Sequence, residues 1–165
     1  MQKEPISQYS KWSILSENPG ARQNPLYRCQ AFRIVYLDDH RIFRTGLKKS
    51  CIFPNFPNAA VLEFTDGDEA FCFITEQLSK DKRIDLVLTD INHPGLKGDQ
   101  FIEKIQDWEK LQGRMYRIPI VVISMIDDKN IMNKLTNPSD PLISRYFHKS
   151  AEVGEILQSL EKILL

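Results

Sequence analysis

The chain has 165 residues, 42% of them hydrophobic, enough for one globular domain with a sizeable core and a short tail. Lysine plus arginine number 22 and aspartate plus glutamate number 22, so no net charge draws the whole chain to nucleic acid or membrane. No apolar run approaches the length of a membrane span, the N-terminus MQKEPISQYSKW lacks the apolar core of a signal peptide, and the three cysteines Cys29, Cys51 and Cys72 are few, odd in number and not spaced C-x-x-C. The expectation is a soluble cytoplasmic protein with free thiols.

Residues 1–30 are polar and rich in turn formers, as in SENPGARQNP, and read as an N-terminal extension. Trp12, Ile14 and Leu15 are its apolar points. A domain over residues 31–165 follows. FRIVYL (32–37) is a strand-type run, and Phe43, Leu47 and Cys51 after it fall on one helical face. AAVLEF (59–64) is a second strand. Asp66, with Glu69 three residues on, starts a helix carrying Ala70, Phe71, Ile74 and Leu78. IDLVLT (84–89) is the third strand, followed by a helix with Phe101, Ile102, Ile105, Trp108 and Leu111 on its apolar face. IPIVVIS (118–124) is the fourth strand, with Pro119 tolerable near its start. Asp128 caps a short helix with Ile131, Met132 and Leu135, stopped by Asn137–Pro138. ISRYFH (143–148) is the fifth strand. Ser150 is the expected cap of a last helix with Val153, Ile156, Leu157, Leu160 and Ile163.

Strand and helix thus alternate five times, which predicts parallel pairing with right-handed crossovers. The first, third and fourth strands are apolar nearly throughout, as when both faces are covered. The fold class is α/β, a three-layer sandwich. In such sheets ligands gather beyond the carboxyl ends of the strands. There the sequence places Asp38 and Asp39 after strand one, Asp90 after strand three, Ser124 after strand four and Lys149 after strand five. Each alone reads as a turn residue, a cap or a solvated charge. Together they put three carboxylates, a hydroxyl and an ammonium at one edge. Clustered carboxylates call for a cation, and hard oxygen donors suit magnesium. With lysine and hydroxyl this is a phosphoryl-binding set, and an aspartate nucleophile is at hand.

LDDH (37–40), LVLTDINHPGLKG (86–98), VVIS (121–124) and YFHK (146–149) resemble, in order and spacing, the signature blocks of a response-regulator receiver domain. DDHRIFRTGL (38–47) is most similar to receivers that carry a helix-turn-helix output domain, yet the sequence ends with the last receiver helix. The resemblance implies a flavodoxin-like (βα)5 fold with strand order 2-1-3-4-5. It implies Asp90 as phosphoacceptor in a two-component phosphorelay. Mg2+ or Mn2+ is then held by Asp38, Asp39, Asp90 and the backbone carbonyl of Asn92. Lys149 and Ser124 bind phosphoryl oxygens, and Ser124 with Tyr146 forms the switch. Asn92 and Ile126 stand where the family tunes hydrolysis, and Pro94 and Gly98 match the turn after the phosphoacceptor. The implied partners are a sensor histidine kinase or phosphotransfer protein and a downstream protein on the helix 4–strand 5–helix 5 face, with the chain a monomer or a phosphorylation-linked dimer. No direct nucleic-acid binding, no membrane insertion and no enzymatic activity beyond its own phosphorylation and dephosphorylation are implied.

Three positions depart from the family pattern. Ser150 replaces the usual proline after the lysine, where a trans peptide bond is expected because a cis bond before a non-proline residue costs about 2.5–4 kcal/mol. Met125 replaces a small residue beside the phosphate site, where it would crowd the phosphate. His93 stands where an apolar residue is common and reads as a turn residue beside the pocket. Two other readings stay open: a pseudo-receiver, acting as a protein-interaction module without phosphorylation, and a hydrolase with an aspartate nucleophile. The latter is disfavoured by Asn92, two residues after Asp90, where such enzymes need a second acid.

Overall fold

The computed structural model describes residues 31–114, 117–138 and 141–165. The extension predicted over residues 1–30, with Trp12, Ile14 and Leu15, lies outside the described residues. Five strands, β1 (Arg33–Leu37), β2 (Ala60–Phe64), β3 (Leu86–Thr89), β4 (Ile120–Ser124) and β5 (Arg145–His148), form one sheet in the order β2-β1-β3-β4-β5. All four pairings are parallel. The flavodoxin-like arrangement expected from the sequence is therefore the one adopted.

The order accounts for the composition of each strand. β1, β3 and β4 are central, and side chains alternate between the two faces. Val35, Leu37, Val87, Ile120 and Val122 enter one core with Ile74, Leu78, Phe101, Ile102 and Ile105. Ile34, Tyr36, Leu86, Leu88, Val121 and Ile123 enter the other with Leu47, Ile52, Ile156 and Leu160. A nearly continuous apolar run is what two covered faces require, and each fully buried aliphatic side chain contributes about 1.5–3 kcal/mol. β2 and β5 lie at the edges and keep exposed positions at Ala60, Glu63 and Arg145.

The helices are α1 (Arg41–Leu47), α2 (Gly67–Ser79), α3 (Gly98–Leu111), α4 (Lys129–Leu135) and α5 (Val153–Leu164). α1 runs on through a π-helical stretch, Lys48–Ile52, into a last turn, Phe53–Asn55. Pro54 has no N–H for the carbonyl of Ser50, and its ring would meet that carbonyl in a regular helix; the chain widens there instead. Asp66 caps α2, its Oδ1 accepting from the N–H groups of Asp68 (2.8 Å) and Glu69 (3.2 Å), and Asp128 caps α4 in the same way. Two helical expectations are corrected. Ser150 does not cap the last helix: α5 starts at Val153 behind Glu152, and the Ser150 hydroxyl lies 2.6 Å from His148 Nδ1. Leu111 is not part of the apolar face of α3 but 83% exposed. α3, with 14 residues, is about 21 Å long, whereas the four residues of β3 span about 13 Å, so its last turn overhangs the sheet. Among the described residues no helix is long and apolar enough to cross a membrane.

Candidate functional site

Parallel strands carry every carboxyl end to one edge, and the register aligns those ends. Leu37 pairs with Thr89, and the Asp90 N–H donates to the Leu37 carbonyl (2.9 Å), which sets Asp90 beside Asp38. Ser124 pairs with His148, and the Lys149 N–H donates to the Ser124 carbonyl (2.8 Å), which brings the lysine back over β4. The five residues expected at the strand ends therefore converge.

Lys149 is the centre of the cluster. Its Nζ lies 2.6 Å from Asp90 Oδ2 and 2.8 Å from Asp38 Oδ2, with its side chain only 6% exposed. No cis peptide bond occurs among the described residues, so the Lys149–Ser150 bond is trans, as expected. His148 Nδ1 receives the Ser150 N–H (3.2 Å) and faces its hydroxyl, closing a tight turn behind the lysine. The Lys149 ammonium also sits 4.8 Å above the Phe43 ring, a cation–π contact on its apolar side.

The second oxygen of Asp90 is equally engaged. Oδ1 accepts from Ser124 Oγ (2.5 Å), the Ile91 N–H (2.6 Å) and the Asn92 N–H (3.2 Å). Burial pushes the Asp90 carboxyl upward, but Lys149, Ser124 and the Asn92 amide outweigh it and hold the group below the usual carboxylate range. Asp90 is thus a buried, ionised, oriented carboxylate. Its mount is tight: a Cβ on Gly98 would lie 2.6 Å from the Asp90 carbonyl oxygen and 2.5 Å from Ile91 Cα. Gly95 takes φ +73° in the same turn, a conformation glycine adopts freely.

A hydrogen-bonded path leads away from Asp90. The Ile126 N–H donates to Ser124 Oγ (3.3 Å), and the Tyr146 hydroxyl donates to the Ile126 carbonyl. Tyr146 is half-buried, and burial pushes its phenol above the ordinary range. The aromatic expected to swing inward therefore already stands against the loop after β4, with Ser124 on Asp90. Met125, expected to crowd the phosphate site, is 64% exposed. His93 is buried beside Gly67, its ring edge-on to Phe101.

Two residues of the site escaped sequence reasoning. Arg44 is buried, donates from Nη1 to the Asp38 carbonyl and from Nε to Glu63 Oε2 (3.1 Å), and so fixes the end of β1. The charge of Glu63 inside AAVLEF was the available signal. His40, within LDDH, turns Nδ1 to within 2.9 Å of Asp39 Oδ1. Asp38, Asp39, His40 and Asp90 offer donor atoms all within 4.8 Å of one another. Three carboxylates against one ammonium leave the pocket negative, and this donor set fits a divalent cation.

The sequence matches the family model of the response regulator receiver domain over residues 34–161. The nitrate/nitrite response regulator protein NarL of Escherichia coli K12 is 28% identical over 131 residues, covering 78% of this chain and 53% of that protein. The chain spans about half the length of the curated relatives of this kind. Among solved structures, the Legionella pneumophila response regulator LqsR superposes with a TM-score of 0.63 at 21% identity, covering 81% of this chain and 44% of the other. A LuxR-family DNA-binding response regulator from Staphylococcus aureus also gives 0.63, at 15% identity, covering 81% and 99%. At these identities the structures attest the fold.

Proposed function

The chain belongs to the response regulator receiver domain family, and we propose that it accepts a phosphoryl group on Asp90 from a phosphohistidine donor and switches a protein-binding surface in response. The observation that carries this reading is the state of Asp90: buried, ionised and held by Lys149 and Ser124 beside two further aspartates.

One Asp90 carboxylate oxygen attacks the phosphorus in line, and the donor imidazole leaves with the bonding electron pair. Asp38, Asp39, Asp90 and the Asn92 carbonyl would hold Mg2+ or Mn2+, which supplies charge neutralisation at the phosphoryl oxygens when bound. Lys149 exchanges its contact with Asp90 Oδ2 for one with the incoming phosphoryl group. Ser124 makes the equivalent exchange from Oδ1, and the Ile126 and Tyr146 bonds carry its position to β5. Hydrolysis of the acyl phosphate, with Asn92 and Ile126 at the pocket rim, resets the site.

A hydrogen bond to a charged group is worth about 1.5–3 kcal/mol. Lys149 and Ser124 together then supply a few kcal/mol, whereas moving a population from 1:99 to 99:1 needs about 5.5. The switch is incomplete, and the inward Tyr146 is populated before phosphorylation. The output surface is α4, β5 and α5. Its partner is a downstream protein, and the chain is a monomer or a phosphorylation-linked dimer in the cytoplasm.

The test is incubation with Mg2+ and a small phosphodonor such as acetyl phosphate, read by intact mass. A mass gain of one phosphoryl group, absent without divalent ion and absent in Asp90→Asn, supports the reading. No gain in the wild type makes the domain a protein-interaction module that keeps the fold alone.

A further inference from the structure

The pocket's divalent-cation site, taken from the reading above, has one donor unlike the others. We infer that His40 is a protein ligand to that cation and tilts the site's preference from magnesium toward manganese, cobalt and nickel.

His40 lacks the contact its position would ordinarily give it. It occupies the N-cap of α1, where a side chain normally accepts a bond from the first turn, yet it makes no such cap bond. Its imidazole is turned into the pocket. Nδ1 lies 2.9 Å from Asp39 Oδ1 and 3.3 Å from Asp38 Oδ1, and the His40 N–H donates to that same Asp38 oxygen at 2.8 Å. Adjacent ligands on an octahedral ion with bonds of about 2.1 Å stand about 3 Å apart, so these spacings are those of neighbouring ligands. Nδ1 also lies 3.4 Å from Lys149 Nζ, which has protons only to give. A metal bound at Nδ1 would leave the imidazole proton on Nε2 and take the place of the Lys149 contact at that nitrogen. The ring is 62% exposed at the pocket mouth, so an ion entering from solvent meets it without rearrangement of the core.

The preference follows from donor chemistry. Magnesium takes oxygen ligands and keeps its waters. Imidazole suits later first-row ions, whose affinity rises from manganese through cobalt to nickel. A rival geometry uses the same distances: with the proton on Nδ1, His40 simply hydrogen-bonds Asp39 and orients it. That arrangement helps every cation alike.

The experiment is calorimetric titration of wild type, His40→Gln and Asp39→Asn with Mg2+, Mn2+, Co2+ and Ni2+, joined to electron spin-echo spectroscopy of the Mn2+-loaded proteins. The wild type is expected to show imidazole nitrogen coupled to manganese, and His40→Gln to lose it although His93 and His148 remain. Affinity for Co2+ and Ni2+ should fall about 10- to 100-fold in His40→Gln, while that for Mg2+ stays within about twofold. An equal loss for all four ions, an unchanged preference, or nitrogen coupling that persists in His40→Gln overturns the inference. If the wild type binds Mg2+ and Asp39→Asn does not, the cation site on which the receiver reading rests stands whatever His40 does; a wild type that binds no divalent ion overturns both.

Discussion

Replacing Lys149 by Met removes the one ammonium that holds Asp38 and Asp90 together, with little change in side-chain volume. At an effective dielectric of about 20, charges at the observed 2.6 and 2.8 Å attract by about 6 kcal/mol each before desolvation is counted. Breaking a buried pair by removing one partner costs about 3–5 kcal/mol net. The lower end applies here, because the freed carboxylates sit at a pocket and take up water. A loss of about 3 kcal/mol with a urea slope of about 1.5–2 kcal/mol/M moves the unfolding midpoint down by about 1.5–2 M. The pH dependence fixes the sign. Asp90 is held below its ordinary value of 3.8, so the stability it lends is present above that value and is lost as pH falls through the lower folded value. The gap between wild type and Lys149→Met is therefore full at pH 7 and closes below pH 3.8. Urea titrations at pH 7 and pH 3, without divalent ions, measure it. An equally stable variant at pH 7, or a gap that widens in acid, would refute the pairing.

Other outcomes follow from the same contacts. Gly98→Ala puts a methyl group against the Asp90 carbonyl and Ile91 Cα, and should cost about 1–3 kcal/mol and slow phosphorylation by acetyl phosphate; unchanged rate and melting temperature would show that the turn yields freely. Ser124→Ala frees Asp90 Oδ1 and cuts the path to Tyr146, so the chemical-shift response of Tyr146 to beryllofluoride should shrink while binding of that mimic persists. Glu109 is buried with one oxygen accepting the Ile118 N–H (2.9 Å), and burial raises its carboxyl above 4.5. Its contribution is favourable below that value and is lost as pH rises, so Glu109→Gln should melt higher than wild type at pH 7, an advantage that disappears near pH 4. Thermal scans at the two pH values check it.

The strands were legible because their physics is local. FRIVYL, IDLVLT and IPIVVIS are apolar at consecutive positions, as a doubly covered strand requires, and they became β1, β3 and β4 at the centre. The acids were legible because each follows such a run, and the lysine because it follows the edge strand ISRYFH. The contacts that finish the site were not. Ser150 has the chemistry of a cap, and only the fold shows that the His148 imidazole competes for it. The sequence reading assigned Arg44 no role; its burial depends on two partners, the Asp38 carbonyl and Glu63, that come together through strand pairing. His40 lay inside a quoted motif, but the direction of its ring depends on the φ and ψ of an N-cap residue, which composition does not set.

Asp90 is the proposed nucleophile. Sodium borohydride reduces an aspartyl phosphate to homoserine, leaving a permanent mark on the phosphorylated residue. After incubation with Mg2+ and acetyl phosphate, borohydride treatment and peptide mapping should place homoserine at position 90, dependent on Mg2+ and on Lys149. Homoserine at Asp38 or Asp39 instead, or at no residue while the pocket demonstrably binds Mg2+, would contradict it.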